Sequence, residues 1–207
     1  MKYLKTFAGG VLAGISIALG GTVFLALENK VLGALFFTVG LFAVCVFGFQ
    51  LYTGKVCYVF DNGPDYAARL PVIWLGNLAG ASLTALLEKC TRMGPSLTER
   101  AVTVCSAKLS DSEISLFLLA VMCDVLIYIA VEGYKNNPHP VGKYLAVFFG
   151  VTVFILCGFE HCVANMYYFT MAGVWSWRAL WLLIVMTLGN SVGGVLLPLL
   201  RKAAKEG

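Results

Sequence analysis

Within the apolar run Tyr144–Val174, Glu160 and His161 stand side by side, and Asn165 follows four residues after the histidine. A carboxylic acid and an imidazole in such a run are residue types that hold or polarise a proton, and an amide is a buried donor. Histidine is the side chain whose ordinary titration lies near neutral pH. Ionisable groups at membrane depth face a cavity and pair with something. A small anion crosses a dry apolar passage most easily as its neutral acid, because desolvation disfavours the charged form. An anion carrier or channel with proton involvement at His161 is therefore one chemistry this cluster supports. An intramembrane enzyme using Glu160 and His161 is the rival, although no motif places a Ser or Cys nucleophile and no HExxH occurs.

The elements that would position these residues are membrane helices. Of 207 residues, 59% are hydrophobic and 13% charged, with a net charge of +4. A soluble domain would carry about a quarter charged residues. The mild, scattered positive charge argues against nucleic-acid binding. The seven cysteines form no CxxC and read as small buried residues. No metal or cofactor is expected.

A span needs about 20 apolar residues. Six stretches qualify: 7–27, 31–60, 70–87, 114–131, 144–174 and 179–200. Lys2 and Lys5 precede the first like a secretory signal, but its apolar region is too long and lacks a cleavage site. The joint from Glu88 to Glu113 is polar, and Leu97–Leu109 within it reads as a short surface helix. Six spans put both termini on one side, with Lys2, Lys5, Arg69, Lys135, Lys143, Arg201, Lys202 and Lys205. Lys30, Lys89, Arg92, Arg100, Lys108 and Arg178 would face the other side. This slight excess points to cytoplasmic termini in a multi-pass protein of the plasma or inner membrane.

The second and fifth spans hold about 30 residues each. As straight helices they would be about 45 Å long, against a hydrocarbon core of about 30 Å. Both carry polar residues at their centres, so breaks are expected near Gln50–Lys55 and Gly158–Val163. The third span reads LGNLAGASL from Leu75 and the sixth LGNSVGGVL from Leu188. Each contains a GxxxG, Gly76 with Gly80 and Gly189 with Gly193. The chain thus reads as one membrane domain of two repeats, 1–90 and 108–202. With three spans each, the repeats run in opposite orientations. Such inverted repeats with broken helices place a transport site near the midplane. The fold class is an all-α polytopic membrane protein with helices 2 and 5 broken.

GFEHCVANMYYF, with LGNSVGG at the next span and QLYTGK in the other half, resembles the formate/nitrite transporter family from about Lys5 to Leu200. The resemblance implies an aquaporin-like homopentamer, each subunit with its own pore for a small monovalent anion or its acid. Formate is the first expectation; nitrite, hydrosulfide, acetate and lactate are alternatives. It implies that His161 is the central pore residue, with the Thr53 hydroxyl opposite. It gives Leu51 to one apolar constriction and Phe37, Leu41 and Phe154 to the other. Lys5 and Lys108 would attract anions into opposite vestibules. Glu160 would fix the break with a partner near Asp124, the two carboxyls sharing a proton, or else Lys55 or an Arg would neutralise one of them. Asn77, Asn165 and Asn190 would be buried donors. Gln50, Tyr52, Lys55 and Asp124 depart from the family's usual residues.

Overall fold

In the computed structural model, which describes residues 1–204, two of the six apolar stretches are interrupted. Lys205, counted above for topology, lies outside the described residues. The helices are α1 Lys2–Ala26, α2 Lys30–Phe47, α3 Tyr52–Val56, α4 Pro64–Ala67, α5 Leu70–Lys89, α6 Gly94–Ser110, α7 Glu113–Asn136, α8 Pro140–Leu156, α9 Cys162–Ala172 and α10 Trp177–Ala203. A 3₁₀ turn, Val59–Asp61, lies between α3 and α4. Five helical segments are long and apolar enough to cross a membrane: α1, α2, Pro64–Lys89, α7 and α10. The remaining crossing is divided between α8 and α9.

Local chemistry sets the ends. The Asn29 Oδ1 accepts from the backbone N–H of Val31 and Leu32. Ser112 and Ser176 cap α7 and α10 through Ser115 N–H and Ala179 N–H. These bonds satisfy donors that a helix start leaves free. Proline opens α4, α5, α6 and α8, where its missing N–H does no harm.

The GxxxG glycines sit at helix crossings. On α5, Gly76 lies against Gly10 of α1, and Gly80 lies against the Val11 carbonyl. On α10, Gly189 and Gly193 lie against the Phe117 and Val121 carbonyls of α7. A Cβ at any of these would strike backbone, so the two pairs α1–α5 and α7–α10 close to a distance only glycine permits. Inside the bundle, every residue of α9 from Cys162 to Met171 is buried. Large apolar side chains such as Phe36, Leu83, Leu118 and Leu188 are exposed on the outer surface, as lipid or subunit contact requires.

The polar joint differs from a surface helix lying free. In α6, Leu97, Ala101 and Cys105 are buried at four-residue spacing. That apolar stripe packs α6 onto the bundle, and its last turn carries Lys108 inward.

Candidate functional site

Both interrupted spans break in the same way. Gly48 and Gly158 end α2 and α8 with φ of 70° and 71°, the left-handed region that favours glycine. The first break, Gly48–Leu51, begins before the expected Gln50, because the glycine rather than the polar residues ends the helix. The second covers Cys157–His161. Phe49 N–H then returns to the Val44 carbonyl, and Phe159 N–H to the Phe154 carbonyl, each at 3.0 Å.

Backbone freed at membrane depth must find partners, and one asparagine serves each break. Asn77 accepts from Tyr52 N–H at 2.8 Å and donates to the carbonyls of Gly10 and Gln50, both at 2.8 Å. Asn190 accepts from Cys162 N–H at 2.9 Å and donates to the carbonyls of Ala120 and Glu160, both at 2.9 Å. Gln50 N–H bonds the Gly9 carbonyl at 3.1 Å, and Glu160 N–H the Leu119 carbonyl at 3.3 Å. The two halves thus share one bonding scheme, bond for bond.

Between the breaks, Thr53 Oγ1 lies 2.9 Å from His161 Nε2, both residues being buried. His161 is also the N-cap of α9, and its Nδ1 accepts from Ala164 N–H at 3.1 Å. An Nδ1 that accepts carries no proton, so the ring proton sits on Nε2 and points at Thr53. A second proton on Nδ1 would set donor against donor and open the cap. The Phe154 ring stacks on His161 with centroids 5.7 Å apart, and Phe37 meets Phe154 edge-on at 6.0 Å. Leu41, one turn further along α2, and Leu51 are buried as well.

A cavity opens on each side of this layer. One, of about 160 Å³, is lined by His161, Phe154, Asn165, Tyr168, Lys108 and Lys30, among others. The other, of about 480 Å³, is lined by Leu51, Gly54, Lys55, Tyr58, Tyr134, Lys135, Lys143 and Tyr144, among others. Leu51 and Phe154 thus stand on opposite sides. Phe37 and Leu41 line neither cavity; Phe37 reaches the layer through Phe154.

Glu160 takes a different partner from the one expected. Lys108 Nζ lies 2.7 and 2.6 Å from its two carboxylate oxygens, and Asn165 Nδ2 donates to it at 2.7 Å. The shared proton with Asp124 is therefore corrected: an ammonium neutralises Glu160. Lys55 makes no ion pair with either carboxyl among the described residues. Asp124 lies further along α7 beside Gly194, and neither of its oxygens has a hydrogen-bond partner among the described residues.

Lys5 stands apart from both of these cavities. It is exposed on α1 and lines neither cavity. The bonding scheme shows why. Gly9 answers to Leu119, so Lys5 answers to Ser115, inside α7, and not to Lys108, which comes from α6. The cations of that mouth are instead Lys55, Lys135 and Lys143. Lys55 already stood out as a charge inside an apolar span. Lys135 and Lys143 carried no signal beyond topology.

The formate/nitrite transporter family profile matches residues 1–203. The chain belongs to the formate/nitrite transporter family. Among its relatives, an uncharacterised transporter of Bacillus subtilis, YrhG, is 30% identical, covering 80% of this chain and 68% of its own. The nitrite transporter NirC of Salmonella typhimurium is 29% identical over 93% of this chain and 80% of its own. The fold matches a pentameric formate channel with formate bound at a TM-score of 0.81, with 23% identity, over 100% of this chain and 98% of that one. An FNT family ion channel matches at 0.78, with 25% identity, over 94% and 86%. The chain is accordingly a multi-pass membrane protein, and its relatives are transporters and channels rather than enzymes.

Proposed function

We propose that the chain is a channel for a small monovalent anion or its conjugate acid, with formate as the first candidate. Each subunit of a homopentamer would carry its own pore. The observation that carries this reading is the His161–Thr53 contact, buried between two cavities that open on opposite sides. An anion arriving at this layer meets apolar Leu51 and Phe154 and one polarised N–H, with a hydroxyl beside it. The Nε2 proton of His161, shared with Thr53, is the group that would meet the anion's charge. Leu51 on one side and Phe154, with Phe37 and Leu41 behind it, would strip its water. Lys108 is held by Glu160, to which Asn165 also donates, at the mouth nearer the histidine, and the lysines of the other mouth would draw the anion in. Both termini would lie in the cytoplasm.

The relationship to NirC of Salmonella typhimurium supports nitrite as the second candidate. Hydrosulfide, acetate and lactate, monovalent as well, are the remaining candidates. The test is flux of formate, nitrite and hydrosulfide into proteoliposomes across pH, for the wild type and His161→Asn. Asparagine keeps a donor and removes the titratable ring. We expect the variant to assemble while its flux loses the wild-type pH response. A retained pH profile would show that His161 is only packed. Turnover of a substrate without flux would favour an enzyme using Glu160 and His161.

A further inference from the structure

We propose that the cavity bearing Lys55, Lys135 and Lys143 binds a multivalent oxyanion of the sulfate or phosphate class, which plugs the pore mouth instead of passing through it. The inference rests on the channel reading above. Three lysines line one cavity of about 480 Å³, a size typical of small-molecule sites. Among the described residues, none of the three has a carboxylate within 4.0 Å. Nearby basic residues are spoken for: Lys2 and Arg69 pair with Asp65, Lys202 with Asp61, and Arg201 with Glu132. Glu132, two residues before Tyr134, also accepts from the Tyr58 hydroxyl at 3.0 Å. Lys135 is held 4.6 Å over the Tyr58 ring, which keeps its charge at the mouth.

One monovalent anion would leave this cluster with uncompensated like charges. A dianion compensates two of the three. Its passage is another matter, because the floor of the cavity is Leu51, buried and apolar. The desolvation penalty grows with the square of the charge, so a dianion meets roughly four times the monoanion's barrier there. Held by three cations and barred by the layer beneath, it would stop the pore. The opposite mouth differs: of the two lysines that line it, Lys108 is already paired with Glu160, so a dianion there meets Lys30 alone instead of three cations. Inhibition should therefore be one-sided.

Sulfate is the probe, since it stays a dianion across the working pH range. Formate flux is measured in phosphatidylcholine proteoliposomes, with potassium sulfate on either side and ionic strength held constant by chloride. Sulfate on the face that carries the chain termini should inhibit, relative to each protein's own uninhibited flux. Lys143→Gln and Lys135→Gln should each raise the half-inhibitory concentration by about threefold, from loss of one partly screened contact. The triple Lys55→Gln/Lys135→Gln/Lys143→Gln variant should lose inhibition. A phosphomonoester lipid headgroup has the same chemistry, so vesicles containing phosphatidic acid and no sulfate form the second arm; inhibition there alone assigns the anion to the bilayer. Inhibition no greater than by chloride in both arms, or equal in wild type and the three variants, overturns the site. If no anion is transported at all, the channel reading fails separately. Thermal stabilisation of purified protein by sulfate over chloride, lost in the triple variant, then still decides whether the site exists.

Discussion

Removing Lys108 should expose how much of the second break depends on one ion pair. Glu160 receives two bonds from Lys108 and one from Asn165, and the paired side chains are 14% and 5% exposed. Lys108→Met leaves a buried carboxylate with a single donor. Loss of one partner from a buried pair typically costs about 3–5 kcal/mol. Lys108 borders a cavity that water can enter, so the lower figure, about 3 kcal/mol, applies here. For a chain of this length that corresponds to an apparent midpoint lowered by about 6–12 °C. Glu160→Gln should cost less, because the orphaned ammonium can turn toward the cavity. The double Lys108→Met/Glu160→Gln variant should recover most of the loss, since it leaves no unpaired charge and the introduced amide can still accept from Asn165. The assay is the melting midpoint of the detergent-solubilised oligomer, followed by size-exclusion fluorescence. A double variant whose loss equals the sum of the singles would refute the pairing argument, as would single losses below about 1 kcal/mol.

Asp124→Asn should leave stability unchanged or raise it, because neither Asp124 oxygen has a partner among the described residues and a buried unpaired charge is unfavourable; a lower midpoint would point to a contact the structure does not show. Asn77→Ala and Asn190→Ala should lower stability by similar amounts, about 1–3 kcal/mol or more, since each removes the same three bonds. Gly193→Val should disrupt assembly, because its side chain would run into the Val121 backbone; a normal gel-filtration profile would contradict this.

The broken spans were legible because two quantities conflict: about 30 apolar residues against a core about 30 Å thick. The repeat was legible because Leu-Gly-Asn recurs where each half needs an asparagine to answer freed backbone. Where each helix stops was less so. The polar residues stand at the end of each break or just after it, whereas the left-handed glycines Gly48 and Gly158 end the helices first.

The site divides along a similar line. His161 and Thr53 belong to the buried middle, where a lone polar side chain in an apolar run has few roles. The lysines do not. A surface lysine looks the same in sequence whether it meets lipid headgroups, a carboxylate or a cavity. Lys5 and Lys108 both precede an apolar span, yet Lys108 rides on α6, whose buried Leu97, Ala101 and Cys105 turn its last residues inward. Lys5 begins a helix whose first turn faces outward. The pairing of cations with breaks is set by the helix before the span, and among the described residues only the second half shows one, α6. Charge at the two mouths is therefore unequal: beside His161 Lys108 is neutralised and Lys30 remains, whereas three lysines stand above Leu51. An anion approaching from opposite sides would meet different fields before it reaches the same histidine, so concentration dependence of flux should differ with direction even at one pH.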